Sequence, residues 1–374
     1  RLRVTQNGHI NYRGGSTGIA QLLKENKPEY ISVHYGKWGI EKVGDPQEIS
    51  YGHGEARGNI YGMMEDPEKR ILLPPDNPKR TSEIASKGME FLKKRAEDER
   101  PFFLYLSFFV VHLPTQAKEA SIDEFKEKEP GRRHADPAFA AMTREVDIAL
   151  GQIHAKLNEV GLDENSYIIY TSDNGGQREP QFATHNYPLR DGKNSLWEGG
   201  VRVPFVVKGP GIKAGTVSLE PVIGYDIYPT IAEIAGIETP SYIDGGSFLE
   251  ILHNEGQGKV KRNNAPGLVW HMPYHHALLH LNVQSAIRIG NYKYIRDWGT
   301  DTGHLFNVDI DFREQYDLSA KLPAKTKEMK NALMDYLEKV DAEEPEYNAN
   351  HLNSKKVIDL RKAQIKNANK IRNQ

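Results

Sequence analysis

Two neighbouring side chains with oxygen donors, Asp173 and Asn174, lie just beyond a short apolar run at residues 167–170. The length of that run and its β-branched and aromatic composition favour a strand over a helix. Ligands of open α/β sheets bind beyond the carboxyl ends of the strands, and carboxylate and amide oxygens suit Ca²⁺ or Mg²⁺. A strand-ending turn uses the same residue types, so these residues alone favour a turn, with a divalent cation site as the alternative.

The longer pattern around these residues favours the cation site. The sequence SDNGG at 172–176 is followed by NYPLRDGKNSLWEGGVRVP at 186–204, where a predicted strand leads into a loop. A motif carries most weight when it lies in its required structural context. This ordered pattern resembles the type I sulfatases of the alkaline phosphatase superfamily. The resemblance implies that Asp173 and Asn174 bind the metal and that Lys193 contacts the sulfate group.

A lysine, Lys37, follows the predicted strand at residues 30–35. By itself it is best interpreted as a solvated residue at the rim of a sheet. The sulfatases carry G-K-W-H at this point, which implies that Lys37 binds sulfate, but Gly39 occupies the position of the motif histidine. His34 and His53 are candidates to replace that histidine, although neither lies at the motif position.

An almost entirely apolar strand is predicted at residues 102–111, as expected for a parallel strand covered on both faces, and it leads to His112. A histidine at the end of a strand is most often a hydrogen-bonded rim group. The sequence HLP at 112–114 resembles the H-x-P motif of the sulfatases. The resemblance implies that His112 contacts the sulfate group.

Three further side chains are predicted to contact the organic part of the substrate: Arg202, His271 and His275. The two histidines belong to a cluster without paired helical spacing, and imidazole ligands do not match the oxygen donors above. A substrate-facing rim is therefore favoured over a transition-metal site, and a plain strand end is the alternative. Asp226 lies in a segment that resembles the family's D-x-x-P-T, and we assign it a structural role.

The order of the predicted elements indicates an α/β fold. Helices predicted at residues 81–94 and 139–160 alternate with apolar strands, which is typical of a mostly parallel sheet flanked by helices. The resemblance implies the alkaline phosphatase-like version of this fold. A smaller C-terminal α+β subdomain is predicted to contain an antiparallel sheet, with a hairpin around Gly290 and Asn291.

Composition bounds the size and class of the protein. The 374 residues, 38% of them hydrophobic, suffice for a sizeable core, and the formal net charge of −2 shows no bias towards nucleic acid. No apolar stretch is long enough to span a membrane, and the absence of cysteine excludes disulfides and thiolate sites within these residues. We predict a large domain, a smaller subdomain and a basic tail at residues 1–262, 263–345 and 346–374.

Hydrolysis of a sulfate ester requires positive charge near the equatorial oxygens. Lys37, Lys193 and a divalent cation, most simply Ca²⁺, are predicted to supply that charge. His112 or Lys193 then protonates or stabilises the departing oxygen. In the family the nucleophile is a formylglycine made from C/S-x-P-x-R, upstream of the G-K-W motif. The chain is therefore expected to lack an N-terminal segment that carries this residue.

The favoured function is release of sulfate from an aryl or carbohydrate sulfate ester, with a sulfated small molecule or a sulfated glycan as the partner. Two alternatives stay open. One is a non-catalytic module that binds sulfate esters. The other is a phosphodiesterase or phosphonate hydrolase of the same superfamily, which the departure at Gly39 leaves open. A periplasmic or secreted location is implied by the resemblance alone.

Overall fold

The computed structural model describes residues 2–4, 10–12, 18–38, 55–59, 76–112, 114–131, 134–177, 186–273 and 283–345. The chain divides into two compact units: unit 1 comprises Arg1–Asp173 and Pro204–Asn264, and unit 2 comprises Asn174–Val203 and Ala265–Gln374. The loop Asn174–Val203 therefore groups with the C-terminal residues, although the predicted large domain 1–262 includes it. That domain outline stays a prediction, and the predicted tail at 346–374 lies outside the described residues.

Strands and helices alternate through most of the described chain. In chain order the elements are β1 (Leu2–Val4), β2 (Ile10–Tyr12), α1 (Ile19–Asn26), β3 (Ile31–Trp38), β4 (Glu55–Asn59), α2 (Thr81–Asp98), β5 (Phe102–Ser107), α3 (Glu119–Lys126), α4 (Pro137–Glu159), β6 (Ile168–Thr171), α5 (Glu198–Val201), β7 (Phe205–Lys208), α6 (Ile227–Ile234), α7 (Leu249–His253), β8 (Leu268–Met272), β9 (Gln284–Ile289), β10 (Tyr292–Asp297), β11 (Thr302–Asn307) and α8 (Pro323–Lys339). Helix α3 lies in a charged stretch of the chain and has no buried residues. None of the helices in the described part of the chain is long and apolar enough to cross a membrane.

Three parallel strands form the central described sheet of unit 1, with β3 between β4 and β5. Helices α2 and α4 pack against it through an apolar stripe that includes Ile84, Leu92 and Ile153. Helix α4 begins where the Asp136 carboxylate accepts the backbone N–H groups of Ala138 and Phe139, an N-cap arrangement. The predicted parallel arrangement is confirmed for these strands. Because neighbouring parallel strands end at the same edge, the residues after β3 and β5 lie at one side of this sheet.

Strand β5 is shorter than the sequence predicts. It ends at Ser107, whereas the apolar run continues to Val111. Phe108 and Phe109 pack against the same core as the strand, and Val110 and Val111 pack beside α4 in a second apolar cluster. Burial, and not sheet pairing, therefore accounts for the apolar character of residues 108–111, because the chain turns there before His112.

The two strands that flank the glycine-rich loop, β6 and β7, pair antiparallel as a separate two-stranded sheet. Their side chains are half-buried or exposed, and Ile169, Phe205 and Val207 pack around Phe248. The apolar run at residues 167–170 thus forms a strand, as the sequence predicts. The loop that connects β6 to β7 therefore begins and ends at two paired antiparallel strands.

Asp226 is fully buried and has the structural role predicted for it. Its carboxylate accepts the backbone N–H groups of Ile223 at 2.9 Å and Gly246 at 3.0 Å, and it pairs with the Arg262 guanidinium. A buried carboxylate requires such partners to offset its loss of hydration. These contacts tie the start of α6 to two later segments of unit 1.

Unit 2 is built on a four-stranded antiparallel sheet in the order β11-β10-β9-β8. The predicted hairpin is confirmed, because Ile289 pairs with Tyr292 and leaves Gly290 and Asn291 as the turn. Helix α8 covers one face of the sheet. The other face packs against Leu196 and Trp197, and this contact places the loop that precedes α5 on the sheet.

Candidate functional site

The two predicted metal ligands come directly after the end of β6. The Asp173 side chain is exposed, and the Asn174 amide nitrogen donates to Gly175 O at 3.0 Å. Because that contact uses the amide nitrogen, the amide oxygen is the atom suited to a cation, and both residues offer the hard donors that Ca²⁺ prefers. Within the part of the chain that the structure describes, no group of three or more His, Cys, Asp or Glu side chains is placed to hold a metal.

Direct backbone contacts join the SDNGG segment to the EGG segment at 198–200. Gly175 N donates to Gly200 O at 3.0 Å, and a Cβ atom at Gly175 would lie only 1.7 Å from Gly199 O. A Cβ atom at Gly199 would lie 2.4 Å from Arg190 O. Glycine is therefore required at both positions by close approach of backbones.

Hydrogen bonds from the Asn186 side chain hold the loop that carries Lys193 in place. Its Oδ1 accepts from Gly176 N at 2.7 Å, and its Nδ2 donates to Gly176 O at 2.9 Å and to Asp191 O at 3.1 Å. Lys193 N donates to the same Gly176 carbonyl at 2.9 Å. The backbone of the predicted sulfate-contacting lysine is thereby fixed to the segment that follows Asn174, all within unit 2.

A buried charge cluster anchors the end of this loop to the antiparallel sheet. Lys293 of β10 is fully buried, and its Nζ lies 2.8 Å from Glu198 Oε1 and 3.0 Å from Glu314 Oε1. Glu314 Oε2 accepts the Glu198 backbone N–H at 2.7 Å. Burial raises the pKa of Glu314, and the nearby Lys293 ammonium opposes that rise. Since buried charges are destabilising without partners, the three side chains depend on one another.

Two arginines lie on either side of this cluster. The Arg190 guanidinium lies 3.5 Å from the centre of the Trp197 ring and donates to Glu314 O at 3.0 Å, and burial lowers its pKa. Arg202 follows α5, keeps half of its side chain exposed, and lies 3.5 Å from Glu198 Oε2. Arg190 therefore belongs to the scaffold. Arg202 is accessible to a ligand, and its contact with substrate stays a prediction.

Lys37 lies near the end of β3, half-buried, and its carbonyl accepts the Ser107 hydroxyl at 2.6 Å. His34 Nε2 lies 2.6 Å from the same hydroxyl oxygen, and the His34 ring stacks on Tyr105. With its Oγ–H committed to the Lys37 carbonyl, Ser107 accepts from His34. His34 is 1% exposed and, through Ser107, links β3 to the end of β5, so its replacement of the motif histidine stays a prediction. His53 and Gly39 lie outside the described residues.

His112 follows β5 after a short turn in which His112 N donates to Phe109 O at 3.0 Å. A buried lysine from the segment before α2 holds this turn: Lys79 Nζ donates to His112 O at 2.8 Å. Burial lowers the pKa of Lys79 to about 8. Lys37, the next-to-last residue of β3, and His112, which follows β5, thus lie towards the same edge of the sheet, and β3 extends past the predicted strand at residues 30–35.

The Lys79 ammonium gives unit 1 a testable dependence on pH. Between about pH 8 and pH 10.5 the unfolded lysine holds its proton while the folded one releases it. The unfolded state then binds more protons, so the folded state gains stability as pH rises through this window. We expect the free energy of unfolding of the wild type, minus that of K79M, to increase from pH 7.5 to pH 10.5 in urea titrations. A flat difference would show that Lys79 titrates normally.

The two ring nitrogens of His271 both contact protein groups. Nε2 donates to Glu343 O at 2.7 Å, and Nδ1 accepts from the Ser285 hydroxyl at 2.7 Å, while Trp298 Nε1 donates to that hydroxyl at 2.7 Å. Burial lowers the pKa of His271, which favours this neutral form. In this arrangement neither nitrogen is available to a substrate, so the predicted contact would require one of these hydrogen bonds to break. His275 lies outside the described residues.

The structure places the predicted residues in two groups. Lys37, His112 and Asp173 belong to unit 1, and Asn174, Lys193 and Arg202 belong to unit 2. The sequence missed three buried side chains that support them: Lys79, Lys293 and Glu314. The two lysines carry no sequence signal that separates them from surface lysines.

Two family sequence models match the chain. Residues 5–237 match the model described as Sulfatase, and residues 190–343 match the one described as N-sulphoglucosamine sulphohydrolase, C-terminal. The chain is 32% identical over 267 residues to a sulfatase of Formosa agariphila, covering 66% of this chain and 47% of that protein. It is 29% identical over 304 residues to arylsulfatase J of Mus musculus, covering 70% of this chain and 49% of that protein. The chain spans about half the length of these curated relatives.

A solved structure in complex with its substrate D-glucosamine-2-N,6-O-disulfate is similar in fold, with a TM-score of 0.67. The match covers 91% of this chain and 85% of that chain at 19% sequence identity. At this identity the likeness concerns the fold. It confirms the predicted alkaline phosphatase-like α/β architecture with its C-terminal antiparallel sheet.

Proposed function

Because the chain belongs to the sulfatase family, we propose that it forms part of a metal-assisted sulfuric ester hydrolase that releases sulfate from an aryl or carbohydrate ester. The observation that best supports this proposal is the hydrogen-bond network that joins Asn186, Gly176 and Lys193. It holds the backbone of a lysine firmly beside a segment with oxygen donors. An anion-binding site requires such preorganised charge.

From the family resemblance we assign contacts with the non-bridging sulfate oxygens to Lys37 and to Lys193, and protonation or stabilisation of the departing oxygen to His112 or Lys193. Asp173 and Asn174 would hold a divalent cation, most simply Ca²⁺, because their oxygen donors suit it. When bound, this cation supplies further positive charge towards the sulfate group. The formylglycine nucleophile of the family is part of the proposal, and no residue among the 374 is assigned that role.

The substrate class we propose is a sulfated sugar or an aryl sulfate. The names of relatives support this choice, since one is an arylsulfatase and a structure of similar fold holds a disulfated glucosamine. A periplasmic or secreted location belongs to the same proposal and rests on the resemblance.

The product of the complete reading frame should be assayed with a sulfate ester and a phosphate ester of the same aryl leaving group, because the chain spans about half of its relatives. We expect hydrolysis of the sulfate ester, loss of activity on chelation, and recovery with added Ca²⁺. A preference for the phosphate ester would support a phosphohydrolase instead. Binding of sulfated saccharides without turnover would support a non-catalytic module.

A further inference from the structure

An arginine, Arg313, lies beside the start of the loop that carries Lys193. The segment that contains it is fixed to that loop at two points: Arg190 Nη1 donates to Glu314 O at 3.0 Å, and Glu198 N donates to Glu314 Oε2 at 2.7 Å. Arg313, the neighbour of Glu314, therefore has a defined position in unit 2. Its guanidinium lies 5.5 Å from the centre of the Tyr187 ring, at the start of the Lys193 loop.

No carboxylate forms an ion pair with Arg313 among the residues that the structure describes. The acidic residues nearby in sequence already have other partners. Asp309 pairs with Arg288 at 2.9 Å, Asp311 accepts the Tyr316 backbone N–H at 2.9 Å, and Asp317 contacts the His304 imidazole at 2.8 Å. The planar donors of Arg313 therefore remain available to an external anion.

The surroundings of Arg313 also suit a sugar. Tyr187 is 39% exposed, and the Arg313 guanidinium also lies 5.7 Å from the centre of the Phe312 ring. Aromatic rings offer apolar faces with a polar edge, and a guanidinium that lies over an aromatic ring can still bind a sulfate or carboxylate through two parallel hydrogen bonds. An arginine is better suited than a lysine to this planar recognition.

We propose that Arg313 and Tyr187 form a second anion subsite, which binds a sulfate or carboxylate other than the one at Lys193. This inference rests on the proposed function and narrows its substrate class to saccharides that carry at least two anionic groups. One group is held at the reacting position, and Arg313 holds the other. The subsite would then select among sulfate esters that all present the same reacting group.

The test compares R313A and R313K with the wild type on one saccharide in its monosulfated and disulfated forms. R296A is the matched control, because Arg296 also lies over an aromatic ring, Trp298 at 4.3 Å, but already pairs with Asp301 at 2.8 Å. We expect R313A to lower kcat/KM for the disulfated form about 10- to 100-fold more than for the monosulfated form, mainly through KM. R313K should recover only part of the loss, and R296A should retain the wild-type ratio.

Equal losses on both saccharides, or no loss on either, would overturn the subsite. Failure of the proposed function is distinguishable, because the wild type would then turn over neither saccharide. If the wild type turns over neither saccharide, calorimetric titration with the disulfated saccharide tests the subsite by binding alone. Weaker binding by R313A than by R296A would support the subsite, and equal binding, or none by the wild type, would overturn it.

Discussion

Replacement of Lys293 with methionine should lower the free energy of unfolding by about 3–5 kcal/mol. The substitution leaves Glu198 and Glu314 as buried carboxylates without the ammonium that lies 2.8 and 3.0 Å from them. Burial already raises the pKa of Glu314, so the folded variant takes up protons more readily than the unfolded chain. The deficit should therefore shrink as pH falls. Urea unfolding at several pH values measures both effects.

The control for this prediction is K325M, since Lys325 is a partly exposed lysine of α8 that pairs with Glu328 at 2.8 Å. Its loss should change stability by less than about 1 kcal/mol. The triple variant E198Q/K293M/E314Q removes all three charges and should regain part of the stability that K293M loses. If K293M unfolds at the same urea concentration as K325M, the proposed dependence among the three side chains is wrong.

Replacement of Lys193 with alanine should lower kcat/KM for an aryl sulfate by about 10²- to 10³-fold, the usual effect of removing one preorganised group that stabilises charge. The loop should keep its place, because the contacts that fix it use the Lys193 backbone N–H and the Asn186 side chain. Urea unfolding close to that of the wild type would show that the loss is chemical. Initial rates over a range of substrate concentrations measure the effect.

K213A provides the matched control, because Lys213 is an exposed lysine that forms an ion pair with Glu255 at 2.7 Å. It should retain wild-type kinetics. K193R keeps the charge but changes its geometry, so we expect an intermediate rate. A K193A enzyme within about threefold of the wild type would exclude the assigned sulfate contact, given the magnitude expected for such a group.

Local patterns predicted the regular elements well wherever the cause is local. The apolar stripe of helix α4 predicts a helix over residues 139–160, and the helix spans Pro137–Glu159. Its earlier start follows from the N-cap at Asp136 and the proline at its first position. The hairpin was likewise predicted from a local signal, the turn pair Gly290 and Asn291. The end of β5 could not be predicted, because residues 108–111 are equally apolar whether they pair in a sheet or pack in a cluster.

Residues of the candidate site could be proposed from the sequence where their motifs are local. Lys37, His112, Asp173, Asn174 and Lys193 lie in ordered motifs, and their residue types specify the chemistry of an anion and a hard cation. The support beneath them was not predictable. Lys79 contacts a residue 33 positions away, and Lys293 contacts one 95 positions away. Sequence alone does not show which of many lysines becomes buried.

The sequence by itself determined the class of fold, the family pattern and the donor atoms at each motif position, because these depend on residue type and short-range spacing. Only the tertiary structure decided that residues 174–203 group with the C-terminal sheet and that His34 and His271 are engaged by the scaffold. It also decided that Arg313 lies over Tyr187 without an acidic partner among the described residues. These outcomes depend on which distant segments exclude water from one another. That exclusion determines whether a charged or polar side chain is a support or a binding group.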